Sequence, residues 1–213
     1  MSFFLFSSLF VFFVGAHDLT ADVLQSLVNE NRLTTRGHED VLNEVGKIEA
    51  VTLTRGGLGC ALSHIQLWEH VVHINETILV LEDDVRLSPS FQEMYSILSL
   101  PKKFDLIYLS YPDFGRRTNW IKNNKKKKYK VERVLGDNWG TSAYIVSPKG
   151  AKKLLKNVYP LEVQIDKHMV EMVEESGGGG GGGDGSEEFV AYVVEPPMVR
   201  EWKSLHVSDI QRD

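Results

Sequence analysis

Short apolar-rich runs and helically spaced apolar positions alternate along the chain. Residues 78–81, 105–110 and 142–146 are apolar-rich runs that predict buried strands, and a further run at 189–194 ends before two prolines. The predicted helices begin at Ser63 and after Ser88-Pro89, and cover 151–157 and 163–175. This alternation of strands and helices predicts an α/β fold.

Capping signals mark where the predicted helices begin. Gln66 follows Ser63 by three residues, which is a capping-box pattern, so we expect a helix to begin at Ser63. Residues 51–59 are then expected to form a loop. Ser147-Pro148 repeats the combination of an N-cap serine with a proline at the first helical position that is found at Ser88-Pro89.

The N-terminal residues differ from the rest of the chain. Residues 3–14 form an apolar run that is too short to span a bilayer alone, and Gly15-Ala16 supplies the small residues that a signal peptidase prefers. One interpretation is a signal peptide or a membrane anchor, through which the chain would associate with membranes. The alternatives are a buried strand and a wrongly chosen start. We therefore divide the chain into an apolar segment, 1–16, and one domain, 17–213.

Composition fits one ordinary domain. The chain has 213 residues, of which 42% are hydrophobic and 25% are charged, near the averages of globular proteins. The net charge is −5 although residues 122–130 include six lysines, so nucleic acid is disfavoured as a partner. The lysine run is either a solvated excursion or a site for an anionic membrane or an acidic acceptor. The serine and glycine tract 176–186 predicts a flexible linker, and no metal-binding or redox spacing surrounds the single cysteine, Cys60.

Three adjacent acidic residues, Glu82, Asp83 and Asp84, follow the predicted strand 78–81 directly. Adjacent carboxylates repel one another, and a hard divalent cation offsets this repulsion. Because ligands bind at the carboxyl ends of strands in open α/β sheets, the cluster predicts a metal site for a phosphate-bearing substrate. The alternative is an acidic turn that only adds solubility.

Three other classes fit the sequence less well. A receiver domain has its acids near the first strand and a later strand that ends in aspartate, whereas here the next predicted strand ends in Ser110. A glycoside hydrolase needs two carboxylates that face each other, which contiguous residues alone cannot provide. Gly57-x-Gly59 lacks the third glycine of a dinucleotide fingerprint, because Leu62 stands there.

Several ordered blocks resemble glycosyltransferase family 25, which includes lipooligosaccharide galactosyltransferases and procollagen galactosyltransferases. The resemblance extends over about residues 50–210. Its blocks are LTRGGLGCALSH at 53–64 with Trp68, LEDDV at 81–85, DLIY at 105–108, WGTSAYIVS at 139–147 with Gly150-Ala151 and Leu154-Leu155, PL at 160–161, ID at 165–166, EPP at 195–197 and SDI at 208–210.

This resemblance implies a GT-A-like α/β domain with a mostly parallel central sheet. Such a domain transfers a hexose, commonly galactose, from a UDP-sugar to a glycan or a hydroxylysine-type protein acceptor, with inversion. The family's metal would be Mn²⁺, held by Glu82, Asp83 and Asp84, where it neutralises charge on the departing UDP. Asp166 stands where the family has an acid before a helix, and it is the candidate catalytic base. The alternative for Asp166 is a helix N-terminal acid that interacts with the helix dipole.

Further candidate residues lie in the same blocks. His64 is either a packed structural residue or part of the donor pocket. Trp139, Gly140 and Thr141 precede the next predicted strand and are candidates for binding the donor. Trp139 could stack on a sugar or a base or pack in the core, and Gly140 would permit close approach of the backbone. His168 and His206 are candidates for a third metal ligand.

The apolar segment 1–16 also bears on location. If it is a signal peptide, we expect the secretory pathway and the lumen of the endoplasmic reticulum, and the sequon Asn75-Glu76-Thr77 is consistent with that route. A cytoplasmic enzyme at the membrane periphery is the alternative.

The chain departs from the family near its start. Family members begin with a strand and an arginine-rich turn, whereas no arginine precedes Arg32 here, so we expect the family's first strand to be absent. The tract 176–186 also replaces what is a short connection in the family. These departures favour a rival from another class, a catalytically inactive, lectin-like or adhesion protein that keeps the fold.

Overall fold

The computed structural model describes residues 19–43, 52–89, 91–98, 100–110, 130–134, 138–177 and 188–201. Its helices are α1 (Ala21–Asn29), α2 (Thr35–Asn43), α3 (Arg55–Ile74), α4 (Phe91–Ile97), α5 (Pro148–Asn157) and α6 (Ile165–Gly177). Its strands are β1 (Ile78–Leu81), β2 (Val85–Leu87), β3 (Leu106–Tyr108), β4 (Lys130–Arg133), β5 (Ala143–Val146), β6 (Ala191–Glu195) and β7 (Val199–Glu201). The predicted α/β class is confirmed.

The central sheet has five strands in the order β1-β5-β3-β6-β4, and β2 and β7 form a separate two-stranded sheet. β3 and β6 are parallel, while β1–β5, β3–β5 and β4–β6 are antiparallel. β1, β3 and β6 therefore share one direction, and β5 and β4 run the other way. The predicted, mostly parallel sheet needs this correction, because β5 lies between β1 and β3 and makes the pairing mixed.

Each face of the sheet is covered by a different hydrophobic cluster. α1, α3, α5 and α6 cover one face, where Trp68, Leu58 and Leu154 are fully buried beside Tyr108 and Tyr144 of the sheet. On the other face, α4 and the β2–β7 pair pack against Ile107, Ile145 and Val194. Because both faces of β3 and β5 are covered, these strands are continuously apolar rather than alternating.

Helix α5 begins as the sequence predicts. Ser147 is its N-cap, accepts a hydrogen bond from the backbone amide of Gly150 at 3.0 Å, and precedes a proline in the first turn. A Cβ at Gly150 would lie 2.1 Å from the backbone oxygen of Asp105, so only glycine allows the helix to approach β3 this closely. This contact fixes α5 against the amino-terminal end of β3.

The starts of α3 and α4 differ from the sequence predictions. α3 begins at Arg55 and not at Ser63, because Thr54 is the N-cap and its side chain accepts from the amide of Gly57 at 3.0 Å. Residues 55–59 are therefore helical, although a loop was expected over 51–59. After the acidic cluster the chain first forms β2, so the predicted helix at Ser88-Pro89 begins only at Phe91.

Some predictions fall outside the described residues. These are the apolar segment 1–16, most of the lysine run 122–130, residues 178–186 of the glycine tract, and His206. The expected absence of a first strand likewise concerns residues before Leu19. Within the part of the chain that the structure describes, none of the helices is both long and apolar enough to cross a membrane.

Candidate functional site

The candidate site lies at the end of the sheet where β1 and β3 finish and β5 begins. Glu82 follows β1 directly, and its backbone amide donates to the carbonyl of Ser142 at 2.9 Å, which continues the β1–β5 pairing. Thr141 precedes β5, and Asp166 is in the first turn of α6. Helix α3 passes behind this end of the sheet and contributes His64, which is 5% exposed. Four segments that are distant in sequence thus meet here.

The Glu82 carboxylate is held by two side chains. Thr141 Oγ1 donates to Glu82 Oε1 at 2.5 Å, and His64 Nε2 lies 3.2 Å from the same oxygen. Both contacts use Oε1, so the protein orients the carboxylate through one oxygen. The side chain of Glu82 is 25% exposed, so it lies at the border between the interior and the solvent.

A hydrogen-bonded chain fixes His64 from behind. Its Nδ1 is 2.8 Å from the hydroxyl of Tyr144, and the indole Nε1 of Trp68 donates to that hydroxyl at 3.0 Å. Tyr144 and Trp68 are both fully buried, and each helps to hold the imidazole ring in one orientation. A hydroxyl oxygen has two lone pairs, so Tyr144 can accept from Trp68 and from a protonated Nδ1 together.

The two partners shift each other's pKa. Burial lowers the pKa of His64, but Tyr144, Cys60 and a hydrogen bond with Glu82 outweigh it, and the pKa lies well above its ordinary value. Burial raises the pKa of Glu82, but the hydrogen bond and charge of His64 and the hydrogen bond from Thr141 outweigh it and lower the pKa. Both directions favour an imidazolium that donates to a carboxylate.

Asp83 and Asp84 form the turn between β1 and β2, and both are exposed. The acidic cluster is therefore divided, with Glu82 turned inward and the two aspartates at the surface. All three offer carboxylate oxygens, which is the donor chemistry that Mn²⁺ and Mg²⁺ prefer. The donor chemistry of the turn fits a hard divalent cation. Among the described residues, however, three ligand atoms lie within 4.8 Å of one another only at Cys60, His64 and Glu82, so a cation on the turn needs Asp83 and Asp84 to move toward Glu82.

Asp166 lies close to this cluster. The backbone amide of Lys167 donates to Asp166 Oδ1 at 2.8 Å, and the amide of Gly140 donates to the same carboxylate. Gly140 has a φ of 95°, which residues other than glycine rarely adopt. Burial raises the pKa of Asp166, backbone hydrogen bonds oppose this, and the charge of Glu82 adds to it, so the net pKa is raised.

Other predicted residues border the site or lie away from it. The Nζ atom of Lys167 lies 5.5 Å from the centre of the Trp139 ring, a cation–π contact. His168 interacts with the backbone of Leu154 in α5 and with the charge of Glu171, and burial lowers its pKa. These contacts place His168 against α5 and near Glu171 of its own helix, and not at the acidic turn.

The structure thus brings His64, Glu82, Gly140, Thr141 and Asp166 together. Sequence reasoning missed two buried tyrosines at this end of the sheet. Tyr144 holds His64, and the hydroxyl of Tyr108, at the end of β3, is buried without a hydrogen-bond partner among the described residues. Both tyrosines lie in runs that look like ordinary core strands, so only their positions at one end of the sheet distinguish them.

The mixed sheet, its covering helices and the site at the carboxyl ends of β1 and β3 are consistent with the α/β domain that the resemblance implies. The sequence profile described as Glycosyltransferase family 25 (LPS biosynthesis protein) matches residues 15–169, which is more than half of the chain and includes the acidic cluster and Asp166. The chain therefore belongs to glycosyltransferase family 25.

Individual relatives match about half of the chain. A Glycosyltransferase 25 family member from Anopheles gambiae is 36% identical over 115 residues, which are 49% of this chain and 18% of that protein. Procollagen galactosyltransferase 1 from Danio rerio is 30% identical over 136 residues, 56% of this chain and 22% of the relative. Inactive glycosyltransferase 25 family member 3 from Mus musculus is 37% identical over 115 residues, 49% and 18% of the two chains. The matched segments span at most 22% of the length of these relatives.

Proposed function

We propose that this chain transfers a hexose, galactose, from a UDP-sugar to a glycan or a hydroxylysine-type protein acceptor, with inversion at the sugar. The observation that carries the proposal is the meeting of the acidic cluster with Asp166 at the carboxyl ends of β1 and β3 in a family 25 chain. Ligands of open α/β sheets bind at this end of the strands.

The proposed metal is Mn²⁺, and Glu82, Asp83 and Asp84 would hold it. The oxygen donor set supports this assignment, as does the anchoring of Glu82 through Oε1 by Thr141 and His64. Bound Mn²⁺ supplies positive charge that offsets the diphosphate of the donor and of the leaving UDP. The protein's part is to keep Glu82 ionised and oriented, and the lowered pKa of Glu82 favours the ionised form.

The proposed catalytic base is Asp166, which would accept the proton of the attacking acceptor hydroxyl. A carboxylate with a raised pKa is a better proton acceptor than an ordinary one, and burial raises the pKa of Asp166. The amides of Lys167 and Gly140 keep the carboxylate in a fixed orientation. The same two contacts also fit the alternative, an acid that stabilises the start of α6, so the role needs a kinetic test.

The sugar, the acceptor and the location rest on relatives. A relative named procollagen galactosyltransferase supports galactose as the sugar and a collagen-type protein as the acceptor. It also supports the lumen of the endoplasmic reticulum, where Asn75 would be a glycosylation site. Asn75 is the C-cap of α3, has a φ of 54° and is exposed, so its side chain is accessible to modification. Mass spectrometry of the mature chain from eukaryotic cells tests this, and an unmodified Asn75 would count against the location.

A second candidate function is binding without turnover. A relative named an inactive family 25 member is 37% identical to this chain, compared with 30% for the named galactosyltransferase. In that case the chain would keep the fold and the acidic turn and bind a glycan or a nucleotide-sugar.

A turnover assay distinguishes the two. UDP release from UDP-galactose is measured with Mn²⁺ and a hydroxylysine-containing collagen peptide, for the wild type, Asp166→Asn, and Glu174→Gln as an exposed acid on the same helix. We expect Asp166→Asn to lower the rate by about 10²–10⁴-fold and Glu174→Gln to leave it unchanged. An unchanged rate in Asp166→Asn would contradict the assignment of the base. Absence of turnover by the wild type, together with UDP binding, would favour the inactive binding protein.

A further inference from the structure

The observed start of α3 places Cys60 inside the helix that carries His64. Because the helix begins at Arg55, Cys60 and His64 lie four residues apart on one helix face, one turn from each other. Glu82 approaches the same place from the end of β1. The thiol of Cys60, a ring nitrogen of His64 and a carboxylate oxygen of Glu82 all lie within 4.8 Å of one another.

We propose that Cys60, His64 and Glu82 form a site for a soft or borderline divalent transition metal such as Zn²⁺, separate in donor chemistry from the oxygen site of the acidic turn. Sulfur, imidazole nitrogen and carboxylate oxygen are the three donor types that zinc uses in proteins. Three protein ligands leave one tetrahedral position open to water, as in zinc sites that are not purely structural. The proposal does not depend on the transfer reaction.

The spacing of the donor atoms supports this assignment. Two ligand atoms at about 2.0–2.1 Å from zinc with a tetrahedral angle are separated by about 3.3 Å. His64 Nε2 and Glu82 Oε1 are 3.2 Å apart, so a zinc ion can replace the hydrogen bond between them without a large movement of either residue. Cys60 is half-buried on the flank of the helix, within 4.8 Å of both, and a small movement of its side chain brings the sulfur within reach.

The surroundings of His64 match those of a metal ligand. A ligating histidine usually donates its other ring N–H to a fixed acceptor, which sets the tautomer and the ring orientation. Here that acceptor is the hydroxyl of Tyr144, 2.8 Å from Nδ1 and itself held by Trp68. This leaves Nε2 directed at Glu82 and available to the metal, once it has released its proton to the solvent as metal binding requires.

The two metal sites share Glu82 and differ in their other donors. A zinc ion on Cys60 and His64 takes Glu82 Oε1, which Thr141 also uses, whereas the acidic turn adds Asp83 and Asp84. Two divalent cations held by one carboxylate repel each other, so zinc bound at Cys60, His64 and Glu82 is expected to lower the affinity of the turn for Mn²⁺.

Cobalt spectroscopy tests the site without any reaction. Co²⁺ is added to the metal-free, reduced chain, and the near-ultraviolet charge-transfer band of a thiolate–cobalt bond is recorded; Zn²⁺ is then titrated to displace it. Zn²⁺ affinity is measured by calorimetry on the same samples. The variants are Cys60→Ser, which keeps the size of the side chain, and Asp84→Asn, which removes an acid of the turn only.

We expect the band in the wild type and in Asp84→Asn, and its loss in Cys60→Ser together with a fall in Zn²⁺ affinity of roughly 100-fold or more. A wild type without the band, or equal Zn²⁺ affinity in Cys60→Ser, would overturn the proposal. Loss of Zn²⁺ binding in Asp84→Asn but not in Cys60→Ser would also overturn it, because zinc would then occupy the acidic turn. Thermal unfolding of each variant confirms that it is folded. The cobalt and zinc measurements require no donor sugar, so their outcome does not depend on whether the chain shows turnover.

Discussion

One ion pair between a carboxylate and a basic side chain lies at each end of the sheet, and the two pairs differ in how accessible their carboxylates are to a ligand. At the amino-terminal end of β3, Lys153 Nζ lies 2.6 Å from Asp105 Oδ2, and the side chains are 13% and 2% exposed. At the carboxyl end of β1, His64 Nε2 lies 3.2 Å from Glu82 Oε1, with side chains 6% and 25% exposed. Because β1 and β3 run in the same direction, these are opposite ends of the sheet.

The further contacts of the two ion pairs indicate different roles. Asp105 Oδ2 also accepts from the backbone amide of Val190 at 2.7 Å, so the first pair joins β3, α5 and the start of β6. The second pair joins α3 to β1 through a titratable histidine and faces Asp83, Asp84 and Asp166. The Lys153–Asp105 pair therefore stabilises the fold. The His64–Glu82 pair lies where a ligand can replace contacts within the protein.

The largest expected effect on stability comes from removing the buried ion pair between Lys153 and Asp105. Lys153→Met keeps the length of the side chain but leaves Asp105 buried beside no cation, so we expect the free energy of unfolding to fall by about 3–5 kcal/mol. Urea denaturation measures this. Lys152→Met, at an exposed position of the same helix, should change it by less than about 0.5 kcal/mol. An equal loss of stability in the two variants would show that the buried ion pair does not stabilise the fold.

The second pair should depend on pH. In the folded chain the pKa of His64 is well above its ordinary value of 6.5, so the stabilisation by its charge is fully present below about pH 6.5 and is lost as pH rises through the folded-state pKa. We expect His64→Gln to cost about 1–3 kcal/mol at pH 6 and clearly less at pH 9. Urea denaturation in EDTA measures the difference. Glu82→Gln should flatten this pH dependence, and a cost that is equal at both pH values would contradict the ion pair.

The smallest expected effect compares two buried tyrosines at the site. The hydroxyl of Tyr144 contacts His64 and Trp68, so Tyr144→Phe should destabilise the chain by about 1–2 kcal/mol. The hydroxyl of Tyr108 has no partner among the described residues, so Tyr108→Phe should change stability by less than about 1 kcal/mol, towards higher stability. Thermal or urea unfolding measures the stability of both variants. A larger loss of stability in Tyr108→Phe than in Tyr144→Phe would contradict this account.

Local signals predicted the parts of the fold that local physics determines. The strand at 78–81, the strand before Ser147 and the Ser147-Pro148 helix start were predicted because apolar runs and caps act within a few residues. β2 and β7 were missed because each has three residues and pairs only with the other, more than 100 positions away. The start of α3 was missed because its glycines resemble a loop. A Cβ at Gly57 would lie 2.2 Å from Oε1 of Gln164, so a larger residue would displace this side chain, whose Nε2 donates a hydrogen bond to the carbonyl of Thr52.

The candidate site shows the same division. The acidic cluster was visible in the sequence because it follows a strand directly, and Asp166 and His64 were visible through the family resemblance. The inward turn of Glu82 onto His64 and Thr141 was not predictable, since these residues are 18 and 59 positions from it. The pairing of Cys60 with His64 was hidden by the misplaced helix start.

Calorimetric titration of UDP tests the central claim, that the acidic turn is the metal-dependent part of a nucleotide-sugar site. UDP is titrated into the wild type and Asp84→Asn, each with Mn²⁺ and with EDTA, and Glu174→Gln is the control. We predict that the wild type and the control bind UDP only with Mn²⁺, and that Asp84→Asn has lost this binding. Equal binding by the wild type and Asp84→Asn, or binding by the wild type in EDTA, would contradict it.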